Sequence, residues 1–395
     1  GDVYKRQFQH SLFLTLEVLA AALAIQFPGL AIAAAVEGTQ RADLISIIRA
    51  ITTIGGTLVA FILVDSGAGL TAYMLVITIA PATGVVVLAG WLLARNRRIR
   101  IRRSFARRTT LKKLAPLSGQ IFVARIAILA FLNTDKIIIG AVLTTAALTK
   151  YSIAAKIYSV LYVIAVLMNS AVTSASSHYH STGEWDRLRA LMLRGTKYAM
   201  AVTLPLATAI FIVAPQLVQG WVGPAFRSSG LTTQLWLVSL FVPVMTGVGS
   251  IMLVGMNRMR AAVWMSIGSA VVNLAFSIPG AYLWGVNGVV LGSTVAWLVV
   301  GPPFLHYILK LLEVTWREFF SETVRPTLPW IALAGGISAL ALLFSITQLA
   351  PLLAIIGAAE ALALAGFFFR STSRSERESL IRRSGPVTGA AAEAG

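Results

Sequence analysis

Seven charged residues stand where charge is expensive. Glu17, Arg49, Arg125, Asp135, Lys136, Lys156 and Glu360 all fall inside long apolar runs of the chain. A charge in hydrocarbon is tolerated only when paired, hydrated or bonded, so it marks a binding site, an ion path or a structural pair. Arg125 has no partner of opposite sign at its depth. A guanidinium suits phosphate oxygens, which it bonds bidentately, so Arg125 reads as an anion ligand facing a hydrated cavity. Arg49 lies about one and a half turns inside its helix, by the 3.6-residue repeat. It either does the same or snorkels to the surface. Asp135 and Lys156 lie at similar distances on either side of a turn near residue 146, so they share a depth and are placed to pair across a helix hairpin. Lys136 points about 100° away from Asp135 and is a second candidate partner. A structural pair and a cavity role both remain open for these three. The candidate set is therefore Arg125, Lys156, Lys136 and Arg49 as cavity cations, with Asp135 and Glu17 as ion-pair or coupling carboxylates. Glu360 falls in the last helix pair and is a weaker candidate. Lys197 reads as a snorkelling flank.

The elements that hold these residues follow from composition. Of 395 residues, 57% are hydrophobic and 12% charged, where a soluble domain has about a quarter charged. A bilayer core needs about 20 apolar residues per helix. Candidate spans fall at 10–36, 43–64, 70–94, 114–142, 149–177, 195–220, 230–256, 261–283, 289–310, 327–347 and 351–369. The runs are continuous rather than alternating, which excludes a barrel. The class is an all-α polytopic membrane protein with about eleven transmembrane helices present.

Cysteine is absent, so no disulfide or thiolate site exists. His178 and His180 precede a segment, Trp185 to Arg189, that reads as a short interfacial helix. Nothing in the pattern implies a metal or a cofactor. Trp221, Trp236 and Trp284 fall near one boundary, as an aromatic belt requires. The loops on that side are short and hold no acid/base pair, which argues against an enzyme.

The net charge is +18, and its placement decides what it means. Twenty-four of the 33 Lys and Arg residues fall in alternate connections, ten of them in loop 95–113. The other connections hold Arg227, with Lys150 at a helix end. The positive-inside rule then puts loop 95–113 and the C-terminus in the cytoplasm. The same placement removes nucleic acid as a partner, because the basic clusters set topology and attract anionic headgroups.

A repeat runs through the chain. Val36 to Arg41, a helix, then Ser66 to Leu70 and another helix parallel Val254 to Arg258, a helix, then Gly285 to Val289 and another helix. Each has a short basic turn, a span, a Gly-rich outer turn and a further span, in one orientation. That makes a parallel repeat about the membrane normal. It matches helices 1–3 to helices 7–9 and leaves helices 4–6 unpaired. The expected whole has fourteen spans in two six-helix lobes around a central cavity plus a final pair. On this reading residues 1–7 are a non-native leader. Residues 8–113 are the remnant of an N-terminal lobe, 114–311 a C-terminal six-helix lobe, 312–370 the final pair and 371–395 a basic cytoplasmic tail.

At residues Asn133-Thr-Asp-Lys-Ile-Ile-Ile-Gly140 and Tyr151-Ser-Ile-Ala-Ala-Lys-Ile157 the chain resembles polysaccharide flippases of the multidrug/oligosaccharidyl-lipid/polysaccharide exporter superfamily. Supporting pieces are Ser174 to Glu184, Gly249 to Arg260, and Asn273 with Pro279, Gly285, Gly288 and Gly292. The likeness covers roughly residues 10–370. It implies a transporter that moves a polyprenyl-(pyro)phosphate-linked oligosaccharide or polysaccharide precursor by alternating access. It also implies membrane lipids, a polysaccharide polymerase and glycosyltransferases as functional neighbours. Two rivals carry their own marks. A multidrug/cation antiporter of the superfamily is expected to show a carboxylate-rich cavity, whereas cations outnumber acids here. A membrane-embedded polymerase or ligase is expected to carry a large outer loop.

The topology is directly testable. A cysteine placed at Ser104 should stay unreactive to an impermeant thiol reagent in intact cells and react after permeabilisation. Reaction in intact cells would invert the orientation.

Overall fold

The computed structural model describes residues 2–37, 42–95, 109, 112, 133–167 and 172–372. Arg125 lies outside the described residues. The chain divides into two compact units, residues 1–119 and 120–395. Among the described residues no strand occurs. Among the described residues seven helices are long and apolar enough to cross a membrane, or eight if a bent pair near residue 326 forms one span. The protein is an all-α, multi-pass membrane protein. Helices are the only open-ended solution in lipid, because an unpaired backbone N–H or C=O has no water to turn to.

The first unit contains α1 (Asp2–Glu37), α2 (Ala42–Asp65) and α3 (Gly69–Arg95). Helix α3 packs against both others. Near one end Val36, Leu88 and Leu92 make a small core. Large apolar side chains elsewhere point outward, Phe27 at 80% exposure and Phe61 at 70%. In lipid such a surface is solvated rather than stranded, so it costs nothing to leave uncovered. Deeper in, Gln26 donates from Nε2 to the Thr78 carbonyl at 3.4 Å.

The second unit begins with α4 (133–142), followed by α5 (Thr145–Leu167) and α6 (Val172–Ser181). Next come α7 (Trp185–Val222) and α8 (Ser229–Gly255). Helix α9 (Met259–Leu311) has 53 residues, far more than one span needs. It folds back at Gly285, whose φ of 59° and ψ of −134° break the helix into two halves. Short α10 (Trp316–Phe319), α11 (Leu328–Leu343) and α12 (Leu349–Gly366) complete the unit.

Two expectations change here. The 185–189 segment is not a separate interfacial helix, because it forms the first turns of α7 without a break. The span expected over 149–177 is described as α5 to Leu167 and α6 from Val172.

The main core lies among α5 to α9, where Leu188, Met192, Met200, Leu240, Met252 and Ile308 are fully buried. A second cluster joins α7, α11 and α12 through Ala209, Val213, Ala334, Ala341, Ala359 and Ala363. Small residues dominate it because lipid supplies no hydrophobic drive between helices. Close approach and dispersion have to supply the attraction instead.

The α9 hairpin brings two backbones into direct contact. A Cβ on Gly288 would collide with the backbone of Gly280, one on Gly280 with the backbone of Gly288, and one on Gly292 with Ser277. Ser277 also donates from Oγ across the hairpin to the Val289 carbonyl at 2.9 Å. Glycine is thus required here for proximity. Gly288→Leu should lower the melting temperature in detergent, since overpacking costs about 1–3 kcal/mol. Gly90→Leu is the control, because a Cβ there meets nothing within 4 Å. Equal melting of the two variants would show that the halves part freely.

Candidate functional site

The α9 hairpin places Asn273 of its first half against Ser293 of its second, with Asn273 Nδ2 donating to Ser293 Oγ at 2.7 Å. Between them and α5 lies Asp135 of α4, only 6% exposed. Ser293 Oγ donates to Asp135 Oδ2 at 2.7 Å. Asn273 Nδ2 donates to Oδ1 at 3.3 Å, and the Tyr151 hydroxyl of α5 donates to Oδ2 at 3.3 Å. Four polar side chains from α4, α5 and both halves of α9 therefore close into one network, and all four are buried. Aromatic rings adjoin it. Trp236 of α8 lies 6.1 Å from the Tyr151 ring and 4.4 Å from the Tyr158 ring.

Each helix reaches the centre for a local reason. The Gly280–Gly288 approach lets the two α9 halves come close enough for an amide to meet a hydroxyl. Asn273 and Ser277 are four residues apart, as are Val289 and Ser293, so each pair shares a helix face. The α4–α5 turn at 143–144 brings Tyr151 back toward Asp135.

The arrangement differs from the expected ion pair. Asp135 takes neutral donors on both oxygens, and no lysine is among its described partners. Lys136 and Lys156 are exposed on their helices. Lys136 Nζ bonds Asn133 Oδ1 at 3.1 Å. The reason is angular. Lys136 follows Asp135 directly, so it points about 100° away. Lys156 occupies a different face of α5 from Tyr151, five residues earlier.

Lys156 instead lies at the edge of a cavity of about 390 Å³. Ile157, Leu206, Ile210, Leu217, Trp221 and Leu349 line it, from α5, α7 and α12. Arg49 is exposed and lines a separate cavity of about 430 Å³ within the first unit, beside Gln26, Thr52 and Thr53. Glu17 is exposed on α1.

Other residues are also relocated. Lys197 is buried at 8% exposure with its ammonium 5.3 Å from the Tyr198 ring centre, so it is not a snorkelling flank. Trp236 is core rather than belt, whereas Trp221 and Trp284 are exposed as a belt requires. Both Glu360 carboxylate oxygens are buried without a hydrogen-bond partner. His180 packs edge-on against Trp185. Among the described residues no cluster of His, Cys, Asp or Glu could hold a metal.

Comparison with known proteins places this architecture. A family model described as "Polysaccharide biosynthesis protein" matches residues 7–231, more than half of the chain. The chain belongs to that family. A search of the curated proteins finds no match. A solved structure titled "Lipid II flippase MurJ, inward closed conformation" is similar with a TM-score of 0.65 at 11% identity. The likeness covers 90% of this chain and 74% of that one. At that identity it speaks for the fold, and it agrees with the superfamily resemblance seen around Asp135 and Tyr151. The family match spans Asp135, Tyr151 and Lys156 but ends before Asn273 and Ser293, so the α9 half of the centre rests on the structure alone.

Ser293→Ala removes both the donor to Asp135 and the acceptor for Asn273. It should lower stability in detergent by about 1–3 kcal/mol, the usual cost of stranding a buried polar group. With Asp135→Asn in addition, the loss should be smaller than the sum of the single losses, since partners in one network are not additive. Strict additivity would mean the contact carries no energy.

Proposed function

We propose that this protein flips a polyprenyl-(pyro)phosphate-linked oligosaccharide or polysaccharide precursor from the cytoplasmic to the outer leaflet of the bacterial inner membrane, by alternating access. The observation that carries the reading is Lys156 beside an apolar cavity, in a chain of the polysaccharide biosynthesis family. A lipid-linked glycan has one part common to all its forms, a phosphate or pyrophosphate next to a prenyl chain. An ammonium next to an apolar slot suits that junction, because the charge meets the phosphate while the chain stays out of water. The likeness to a structure titled as a lipid II flippase supports the same cargo class.

Arg125, Lys156, Lys136 and Arg49 are the proposed cargo cations, Arg125 the principal one. A long glycan cannot cross hydrocarbon dry, so its path is hydrated, and fixed cations along that path hold the anion at moderate strength. Asp135 is the proposed coupling carboxylate. Its described partners are neutral, so its charge has to be met by a proton or a small cation, because an isolated carboxylate in a bundle interior is too costly. Glu17 is a second candidate for coupling. The basic turns and the C-terminus face the cytoplasm in this reading. Glycosyltransferases supply the cargo and a polysaccharide polymerase consumes it.

The test is export of a lipid-linked glycan, read as its accessibility to an impermeant glycan-binding probe, at equal amounts of inserted protein. Arg125→Ala should slow export about tenfold or more, since one charge-assisted bond is worth about 1.5–3 kcal/mol. Arg125→Lys should slow it less, and Lys156→Ala should also slow it. Export at the normal rate by Arg125→Ala and Lys156→Ala together would reject the cargo site.

A further inference from the structure

A third, smaller cavity, in the second unit, has a volume of about 160 Å³ and lies one helical turn along α9 from the partners of Asp135. Tyr162, Thr246, Ser250, Ser266, Ser269 and Trp297 supply its polar lining, from α5, α8 and both halves of α9. Four of its lining residues are serine or threonine. Most such hydroxyls are silenced by their own helix, as Ser266 is by the Ala262 carbonyl at 2.9 Å and Thr246 by the Val242 carbonyl at 2.8 Å. Ser269 is not. Its Oγ is buried without a hydrogen-bond partner, and the residue is 4% exposed. A buried hydroxyl without a partner costs free energy unless water meets it. A cavity of this size has room for several waters, since one needs on the order of 10–15 Å³.

The register ties this cavity to Asp135 along two helices at once. Ser269 is four residues from Asn273 in the first half of α9, and Trp297 is four residues from Ser293 in the second. In each half the residue one turn on, about 6 Å away, is a hydrogen-bond partner of Asp135. On α5, Tyr162 lines the cavity while Tyr151 bonds Asp135, and Tyr158 between them stacks on Tyr162 at 5.9 Å. Three chain segments thus run from the cavity to the carboxylate. In the other direction the cavity reaches Ala262, in the first turn of α9, and Ser250, near the end of α8. That is the end where the turn at Asn257 leads to Arg258 and Arg260.

We infer that this serine-lined cavity is a hydrated passage through which the small cation that neutralises Asp135 moves between that carboxylate and the membrane face bearing the basic turn at 257–260. It rests on the reading of Asp135 as the coupling carboxylate. Hydroxyl oxygens and water replace a cation's hydration shell without adding fixed charge, so they conduct an ion toward Asp135 without trapping it on the way. Ser269 is the last oxygen before the Asn273–Asp135–Ser293 triangle. The passage meets the centre from the side away from the Gly285 turn.

The chain has no cysteine, so single cysteines report without background. Cysteines at Ser250, Ser266 and Ser269 should react with a charged methanethiosulfonate reagent at least tenfold faster from the basic face than from the opposite face of proteoliposomes. One at Phe276, 53% exposed on the same helix, should not react from either face. Export driven by an imposed sodium gradient and, separately, by an imposed proton gradient identifies the cation. Ser269→Leu should slow the driven rate about tenfold, and Ser269→Thr should restore it. Absence of labelling at 250 and 266 from the basic face, or equal labelling from both faces, overturns the passage. So does an unchanged driven rate in Ser269→Leu. If either occurs while Asp135→Asn abolishes the response to the gradient, the passage fails and the coupling reading stands. A full response to both gradients in Asp135→Asn sinks the coupling reading and the inference with it.

Discussion

Asp135 accepts hydrogen bonds from a serine, an asparagine and a tyrosine in the interior of a helical bundle, and most of the second unit can be understood from what that requires. A carboxylate in such a place needs donors on both oxygens, and one helix cannot supply them. The α9 hairpin has to close tightly enough for Asn273 and Ser293 to touch, which requires glycine at 280 and 288. Helix α5 has to turn back at 143–144 to present Tyr151. Trp236 of α8 packs against Tyr151 and Tyr158. The polar centre therefore specifies the register of α4, α5 and α9 in a bundle where apolar contacts alone are forgiving about rotation.

The apolar packing elsewhere is of a different kind. Between α7, α11 and α12 alanines sit among larger apolar side chains such as Val213, Leu352 and Ile356, and the Trp330 ring fills the space beside Gly366. In the first unit α3 packs along both α1 and α2, while the outward-facing Phe and Ile side chains are left to lipid.

Much of this was legible in the sequence. Continuous apolar runs and alternating basic connections led to an all-α polytopic class, and Asp135 was singled out because a charge inside such a run is conspicuous. Its partners are not legible from charge, because all three are neutral side chains. The turn falls at 143–144 rather than near 146, so Lys156 sits about one helical turn, roughly 6 Å, deeper than Asp135, and five residues on α5 separate it from the tyrosine that does reach the carboxylate. Serine is the quietest of polar residues in a hydropathy profile, so Ser293 and Ser269 left no trace there. The spacing of four between Asn273 and Ser277, and again between Val289 and Ser293, was the available signal. Trp236 misled for the converse reason. Tryptophan near a span boundary suits a headgroup belt, yet here its ring is taken up by two tyrosines. Lys197 reads as a flank by position and is buried over Tyr198 instead.

The fold at Gly285 makes the two sides of the Asp135 centre parts of a single hairpin. Asn273 and Ser293 are twenty residues apart on one continuous chain, with the turn between them. Adding one residue on either side of that turn would rotate everything beyond it by about 100°, carrying one of the two donors out of the triangle. The hairpin arm is therefore quantised in length. Only near-whole turns, three or four residues at a time, preserve the facing pair, and even those would displace it along the axis by about 5 Å. Connections such as 223–228, between α7 and α8, carry no such phase, and they can vary without the carboxylate sensing it.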